Sequence, residues 1–478
     1  MRFTSYIWSV ALMIVFVLSL VSNWYDSLVY LVNIIALLMV IDKLGKGIVL
    51  REIIALHTAF ICLLMPLVGY LVYNTTNGLS LLWIRYMPVD KNIYFSYCLP
   101  AVTGFCILLC WPVKNEKGAD AGVFLQKTLE RIKLNLKGNK SLGIWLIVVG
   151  ILMFFLVPYV PAGLQYILNL LYFSSFTGLL YVYLSDKFIY RTIILVLFGL
   201  FTIVLALRSG MFTIIAYMGM TLFSFFFVGK KISFIRKTLT FFAAFFVLVV
   251  IQSVKPAYRK TITLNPGVNK AEVFGDLTMK QLSGSNNFFS PDNYFFLYYR
   301  ANQGYNIALV MRRFPGVVPF DDGAYLLVKI AAAFVPRVLW PDKPEAGGIA
   351  NMKYYANFTI KSWSTNVGPV GEAYASFGIT GGIIYMMLLG AFIRFAYKRV
   401  FVIAGKIPLI ILWIPVMFYQ VTYSAENDTL QILNSVIKSS FFIFILYKLV
   451  PHLFKPVKKF NVEPTQTRKG VVDHLQTQ

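Results

Sequence analysis

The run PRVLWPDKP, Pro336–Pro344, lies within the one long interval that the hydrophobic segments of this sequence leave open, Lys255 to Glu372. Residues 254–370 contain thirteen Lys and Arg side chains, so the interval is strongly cationic. A cationic interval of this length between two groups of apolar segments favours an anionic ligand. The fold depends on whether the segments on either side of the interval cross a membrane.

The composition of the 478-residue chain is that of a membrane protein. Hydrophobic residues make up 58% of it, aromatic residues 17%, and the mean hydropathy is +0.70, well outside the range of soluble domains. A net charge of +24 would favour nucleic acid if the basic residues formed a patch on a soluble domain. Most of them lie instead in short segments between apolar runs, where they orient a membrane protein, so no nucleic-acid partner is expected.

Apolar runs that are long enough to cross a hydrocarbon core of ~30 Å recur along the whole chain. Twelve of them lie near residues 4–22, 26–42, 52–73, 94–112, 142–160, 162–184, 192–207, 210–228, 238–253, 373–394, 407–423 and 431–450. We therefore predict an all-α polytopic membrane protein with about 12 transmembrane helices.

Basic residues alternate between the two sides of these spans. If the N-terminus is cytoplasmic, every inner segment carries Lys or Arg, with seven in residues 113–141 alone. The short outer loops carry none, except that residues 74–93 carry Arg85 and Lys91. Because positively charged loops are retained in the cytoplasm, both termini are predicted to be cytoplasmic and the long interval extracytoplasmic.

These counts divide the chain into four predicted parts. They are a bundle of about nine spans at 1–253, a large, partly helical extracytoplasmic loop at 254–372, about three further spans at 373–452, and a cytoplasmic tail at 453–478. Within the loop, Ser290-Pro291-Asp292 predicts a helix start, since Pro is favoured at the first helical position. The apolar segment Ala324–Val335 is too short to cross a membrane and is predicted to lie in the interface or to re-enter it.

Three other patterns predict packing rather than chemistry. Gly378 and Gly382 are spaced so that a neighbouring backbone can approach closely. Residues 113–141 place apolar positions at helical spacing among basic ones, which is typical of an amphipathic helix on the cytoplasmic surface. Four cysteines lie inside apolar runs and are expected to be small packing residues: Cys62, Cys98, Cys106 and Cys110.

Charged side chains at the outer ends of the spans are the candidate functional residues, because a charge near hydrocarbon is costly unless it is paired or faces a wet cavity. They are Arg208, Lys255, Arg259, Glu372, Glu426, Asp428 and Lys438. Guanidinium and ammonium groups bind phosphate oxygens, and a carboxylate can accept a proton from a sugar hydroxyl. Together they suggest glycosyl transfer with a lipid pyrophosphate as the leaving group, although Lys438 is equally compatible with snorkelling to the interface.

Four motifs and the layout of the spans resemble the Wzy-type O-antigen polymerases, also called oligosaccharide repeat unit polymerases. The motifs are Arg-Ser-Gly at 208–210, Lys-x-x-x-Arg at Lys255 and Arg259, the run Pro336–Pro344, and Gly371–Gly378. The resemblance covers most of residues 205–395. It implies a bacterial inner-membrane glycosyltransferase of the GT-C class, which moves a growing glycan from undecaprenyl pyrophosphate onto the terminal sugar of a newly flipped repeat unit.

Carried over position by position, the resemblance implies a site beneath the large loop, which would close as a lid. The residues implied to bind the pyrophosphate are Arg208, Lys255, Arg259, Arg337 and Lys343. The candidate catalytic residues are Arg208 and Glu372, the latter as the base or as a residue that positions the acceptor. Secondary candidates are Arg300, Glu426 and Lys438.

The implied reaction uses no metal or other cofactor, since preorganised Arg and Lys side chains stabilise the leaving group. Asp321-Asp322 is the alternative as a metal pair, although carboxylates before a Gly are more typical of a turn. Implied partners are undecaprenyl pyrophosphate-linked glycans, membrane lipids, and a chain-length regulator and a flippase of the same pathway.

Two other functions stay open. One is an O-antigen ligase, a related family that uses a histidine in its large outer loop, whereas residues 254–372 contain none. The other is a lipid-linked oligosaccharide flippase or other transporter, in which internal repeats and charges near the middle of the membrane are common.

Overall fold

The computed structural model describes residues 4–113, 119–209, 218–219, 222, 224–230, 232–265, 267–283, 291–335, 337, 339–360 and 365–455. Within these ranges every regular element is a helix, and the single β contact is an isolated bridge between Leu44 and Gly47. The predicted all-α fold class is therefore confirmed.

The first two thirds of the chain form thirteen helices. They are α1 (Thr4–Val21), α2 (Tyr25–Lys43), α3 (Leu50–Leu71), α4 (Gly78–Trp83), α5 (Lys91–Cys110), α6 (Ala119–Leu136), α7 (Lys140–Leu156), α8 (Ala162–Leu184), α9 (Arg191–Ser209), α10 (Phe234–Leu264), α11 (Lys270–Ser283), α12 (Pro291–Ala301) and α13 (Gly304–Arg313). Five more follow: α14 (Ala324–Phe334), α15 (Gly348–Ala356), α16 (Gly368–Ala404), α17 (Ile414–Phe418) and α18 (Thr429–Leu449). These counts refer to the described ranges.

Eight of these helices are long and apolar enough to cross a membrane. The candidate spans are Tyr25–Lys43, Leu50–Leu71, Lys91–Cys110, Lys140–Tyr159, Leu164–Leu184, Phe234–Ile251, Gly368–Ala404 and Thr429–Leu449. The chain is thus a helical membrane protein by length and composition. The run predicted near 210–228 falls largely outside the described residues.

The span predicted at 407–423 is wrong as a continuous helix. Residues Pro408–Trp413 form a 3₁₀ helix and α17 covers only Ile414–Phe418. Proline explains the break, since Pro415 has no N–H to donate to the preceding turn and its ring crowds that turn.

Helix α5 is the centre of the bundle and packs along α16. A Cβ added at Gly390 would lie only 2.6 Å from the Phe105 carbonyl oxygen, so the two backbones approach closely there. At the end of α5 the last carbonyls lack intrahelical partners. Arg51 donates to Trp111 O at 3.0 Å, and Arg394 Nε donates to the same oxygen at 2.9 Å. Two arginines from distant segments therefore cap the central helix.

Small residues also set the contact between α7 and α8. A Cβ at Gly143 would lie 2.9 Å from the Gly178 carbonyl oxygen, and a Cβ at Gly178 would lie 2.7 Å from that of Gly143. Each glycine thus makes room for the other helix, which is the usual way that membrane helices gain packing contacts.

Helix α16 begins earlier than the predicted span at 373–394 and is kinked. Gly378 has φ +64° and ψ −156°, a conformation open almost solely to glycine. The Phe320 ring lies 3.3 Å from a Cβ at Gly378, and the Tyr97 ring lies 2.8 Å from a Cβ at Gly382. The prediction that this glycine pair admits a neighbouring backbone is wrong, because each glycine makes room for an aromatic ring.

The positions of three predicted helices are confirmed. Helix α12 begins at Pro291, α14 ends at Phe334 after 11 residues, and α6 lies within the predicted amphipathic segment. Helix α10 differs from the prediction, since it continues beyond residue 253 to Leu264.

Candidate functional site

A cleft opens where three segments meet: the loop after α4, the junction of α12 and α13, and the segment before α16. Its volume is about 90 Å³. The cleft is lined by arginine, tyrosine, amide and hydroxyl side chains: Arg85, Tyr298, Tyr299, Arg300, Asn302, Gln303, Tyr305, Asn306 and Thr365. None of these described lining residues has an aliphatic side chain, and their guanidinium, amide and hydroxyl groups suit an anionic or hydroxyl-rich ligand.

Arg85 is held between two aromatic rings of the cleft. Its guanidinium carbon lies 4.4 Å from the centroid of the Tyr299 ring and 4.7 Å from that of the Tyr305 ring. Its Nη2 also donates to the Tyr299 hydroxyl at 2.8 Å. Stacking restricts the planar guanidinium to few orientations, so Arg85 is preorganised to bind an anion.

Arg300 forms the other cationic wall, with a carboxylate behind it. Arg300 Nη2 lies 2.9 Å from Glu426 Oε2, and His57 Nε2 of α3 lies 3.7 Å from Glu426 Oε1. The Arg300 side chain is 45% exposed and that of Glu426 is 17% exposed. A guanidinium that reaches solvent is thus backed by a carboxylate and an imidazole.

Amide side chains fix the backbone on the third side of the cleft. Gln303 Nε2 donates to the Asn366 carbonyl at 2.8 Å, and Asn306 Nδ2 donates to the same oxygen at 2.9 Å. Asn306 also donates to Thr365 Oγ1 at 2.7 Å. These bonds tie the start of α13 to the segment that leads into α16.

Beside the cleft lies a fully buried ion pair. Lys329 Nζ of α14 and Glu372 Oε1 of α16 are 2.5 Å apart, and neither side chain is exposed. Lys329 also donates to Asn351 Oδ1, and Glu372 Oε2 accepts from the Thr429 backbone N–H at 2.9 Å. The pair therefore joins α14, α15, α16 and the start of α18.

Asp428 extends this network as the cap of α18. Its Oδ1 accepts from the Gln431 N–H at 2.6 Å, and its Oδ2 accepts from the Gly347 N–H at 2.6 Å and from Asn351 Nδ2 at 2.9 Å. Burial, and after it repulsion from Glu372, raises the pKa of Asp428 above its ordinary value. The three backbone and amide donors satisfy this buried carboxyl, as its position requires.

A family profile described as Domain of unknown function (DUF8712) matches residues 121–455, more than half of the chain. The chain belongs to this family. No curated protein and no solved structure matches the chain. The family region includes the cleft residue Arg300, its partner Glu426 and the buried pair, whereas His57 and Arg85 precede it.

The structure does not place Glu372 where a substrate can reach it. Both of its carboxylate oxygens are engaged, by Lys329 and by the Thr429 N–H, and the side chain has no exposed surface. This geometry favours a role in fixing the fold of the site over the base role that the sequence predicts.

Arg337 and Lys343, two of the predicted pyrophosphate-binding residues, lie close to each other on the flank of α14. Lys343 Nζ donates to the carbonyls of Ala332 and Val335, each at 3.0 Å, and so caps the end of α14. Burial and the nearby Arg337 charge lower the pKa of Lys343. Lys438 lies with its Nζ 5.0 Å from the centroid of the Tyr166 ring.

Arg208 lies at the end of α9, and Lys255 and Arg259 lie within α10. The Tyr258 hydroxyl donates to the Leu207 carbonyl at 2.6 Å, which holds these two helix segments together. Arg259 is exposed, while the side chains of Arg208 and Lys255 fall outside the described ones. Helix α10 also packs against α12, the helix that carries Arg300.

Among the charged and titratable residues in and around the cleft that the preceding paragraphs describe, sequence reasoning missed Arg85, His57 and Lys329. Arg85 had a usable signal, since it is one of two cations in an outer loop that topology would keep free of them. Lys329 had one as well, because it is the single charge in the apolar segment of α14. No sequence pattern marked His57 as a site residue, since its partner Glu426 is far away in the sequence.

The two adjacent carboxylates predicted as a turn or a metal pair form a turn. Asp321 Oδ1 accepts from the Gly323 N–H at 3.0 Å, and Asp322 has a left-handed backbone with φ +49°. This is the arrangement in which Asp closes a turn on its own backbone.

Proposed function

We propose that the protein polymerises lipid pyrophosphate-linked oligosaccharide repeat units at the outer face of a bacterial inner membrane. The observation that carries the proposal is the cleft in which Arg85 and Arg300 stand among tyrosine and amide side chains. Guanidinium groups match the oxygens of a pyrophosphate, and the hydroxyls and amides match a sugar. The resemblance of the sequence to the repeat unit polymerases supports the same substrate.

In this proposal the two arginines stabilise the leaving group. Transfer forms a bond from the acceptor oxygen to the anomeric carbon and breaks the bond from that carbon to the phosphate oxygen. The electron pair of the broken bond stays on the pyrophosphate, which gains negative charge. Preorganised cations at that position lower the barrier, since each donor is worth roughly 10²–10³ in rate in comparable sites.

Glu426 is the proposed acceptor of the proton that the sugar hydroxyl loses. Its carboxylate lies next to Arg300, and therefore next to the proposed pyrophosphate, and retains some exposed surface. The nearby Nε2 of His57 gives the proton a second group to which it can pass. Glu372 and Lys329 are proposed to hold the chain segments around the cleft in position.

The remaining features of the proposal concern the membrane. Spans in addition to the eight that length and composition support are proposed, with the bundle in the GT-C class and both termini in the cytoplasm. The cleft then faces the extracytoplasmic side, where repeat units arrive on undecaprenyl pyrophosphate after being flipped.

The experiment that tests the function uses the purified protein in lipid vesicles with a lipid pyrophosphate-linked repeat unit of the host. We expect a ladder of products that differ by one repeat unit, resolved by gel electrophoresis. Movement of the substrate across the vesicle membrane without longer products would contradict the proposal and favour a flippase.

A further inference from the structure

A group of polar and aromatic side chains lies at the far end of α13 from the cleft. The rings of Tyr325 and Tyr354 are stacked with centroids 4.1 Å apart and planes 28° apart. Tyr354 is 39% exposed, although its ring is also packed edge-on against Tyr355 at 4.8 Å. The stack therefore holds an aromatic ring rigidly at the surface.

A carboxylate is fixed beside this ring. Asp321 Oδ2 accepts from the Tyr354 hydroxyl at 3.3 Å, and the Asp321 N–H donates to the Ala375 carbonyl at 3.2 Å. Burial and the Asp321 charge raise the pKa of Tyr354 to about 12, so its hydroxyl remains a donor to the carboxylate. A carboxylate has about four lone-pair sites, and among the described residues the Gly323 N–H and the Tyr354 hydroxyl use two of those of Asp321.

Arg313 supplies an unsatisfied donor next to the same group. Its charge acts on Tyr354, and its Nη1 is buried without a hydrogen-bond partner among the described residues. Buried donors are nearly always satisfied in native proteins. A ligand oxygen at this position would satisfy Nη1.

We infer that Tyr354, Asp321 and Arg313 form a subsite for a sugar ring of the glycan. The apolar C–H face of a sugar packs on an aromatic ring, its hydroxyl groups donate to a carboxylate, and its oxygens accept from a guanidinium. The inference rests on the proposed function and adds to it a second point of contact that requires no phosphate.

The geometry of α13 connects this subsite with the cleft. Asn306 lines the cleft and Arg313 follows seven residues later, so both lie on one face of the helix. At about 1.5 Å per residue they are roughly 10 Å apart along the axis. Leu309 and Val310, which lie between them on this face, are buried, so an oligosaccharide whose carrier phosphate occupies the cleft would have to pass outside this face to place a more distal sugar at Tyr354.

The test measures sugar binding in the absence of lipid and phosphate. The probe is the free oligosaccharide released by mild acid from the host's own lipid-linked repeat unit, and saturation-transfer NMR on protein in lipid nanodiscs reports its binding. We expect Asp321→Asn and Tyr354→Ala each to weaken binding about tenfold, as loss of a charged hydrogen bond or a stacking surface does. Tyr159→Ala, at a tyrosine that is 85% exposed, is the matched control and should bind as wild type does.

The outcomes separate this inference from the proposed function. Melting temperatures equal to that of the wild type establish that the variants fold. If Tyr354→Ala does not fold, the binding measurement on Asp321→Asn alone tests the subsite. Absence of binding by wild type, or equal binding by wild type and both variants, would overturn the subsite even if chain elongation proceeds. Binding that depends on Asp321 and Tyr354, in a protein that never elongates a glycan, would support the subsite and contradict the polymerase.

Discussion

The pair Lys329 and Glu372 shows how one buried contact can organise a site. Two charges without exposed surface are stable only if they are paired and hydrogen-bonded, because each has lost its hydration. Asn351 and the Thr429 N–H supply the additional bonds. These partners come from α15 and α18, so the pair fixes the position of four helices around the cleft.

We predict that removing both members of this pair costs less stability than the sum of the two single removals. Lys329→Met or Glu372→Gln leaves an uncompensated buried group and is expected to lower the free energy of unfolding by about 3–5 kcal/mol. The double variant should lose clearly less than the sum of the two. Chemical unfolding in detergent measures all three, and strictly additive losses would show that the two side chains are not coupled.

Sequence reasoning named both residues of the Arg300–Glu426 contact without pairing them, and only one residue of the Lys329–Glu372 contact. Glu372 and Glu426 were found because a carboxylate at a span end is unusual. Their partners Lys329 and Arg300 lie 43 and 126 residues away, and no local periodicity connects residues over such distances. A base role for Glu372 was therefore predicted without knowledge of the lysine that buries it.

At the scale of elements, the α7–α8 pair depends on glycine. Gly178→Ala would place a Cβ 2.7 Å from a carbonyl oxygen of α7, so the helices must separate, at a cost of about 1–3 kcal/mol. Gly199→Ala in α9 is the control, because no atom lies within 4 Å of its Cβ position, and it should leave stability unchanged or slightly raised. Equal unfolding midpoints for the two variants would contradict this packing.

The kink of α16 leads to a second prediction at this scale. In Gly378→Ala the alanine must adopt the backbone conformation of Gly378, which costs any residue other than glycine about 1–3 kcal/mol. Its Cβ would also crowd the ring of Phe320, the residue before Asp321. We expect loss of stability and of oligosaccharide binding together. Gly275→Ala in α11 has open space around it and should change neither; wild-type behaviour of Gly378→Ala would show that the kink is not needed.

Helix bounds were predicted correctly where a single residue or the length of an apolar segment determines them. Pro291 marked the start of α12, and the apolar length of Ala324–Val335 marked a helix too short to span. Prediction failed at 407–423, where hydropathy counts apolar residues and overlooks the effect of Pro415. It failed again at Gly378, since the spacing of glycines does not reveal whether a backbone or a ring will occupy the space.

At the scale of the whole molecule, the proposed orientation has a direct test. All four native cysteines are buried, so a membrane-impermeant maleimide should not label the wild type. Glu345→Cys, at an exposed position after α14, should be labelled in intact cells. Lys137→Cys, at an exposed position after α6, should be labelled only after permeabilisation, and the opposite pattern would invert the topology.

The cleft is assembled from the whole length of the chain, with His57 and Arg85 near its beginning and Glu426 near its end. The all-helical, apolar character of the chain could be predicted because hydropathy is a local property. The cleft could not, because it depends on which spans become neighbours, and that is decided by close contacts such as Gly390 against Phe105.

The rate of glycan elongation by variants of the two cleft arginines tests the central claim most directly. With protein in vesicles and the lipid-linked repeat unit as substrate, Arg85→Ala and Arg300→Ala should each lower the rate by roughly 10²-fold or more, because a preorganised cation is lost from the leaving group. Arg312→Ala, at an exposed arginine of α13, should elongate at the wild-type rate. Wild-type rates for Arg85→Ala and Arg300→Ala, with folding confirmed by their melting temperatures, would contradict the account.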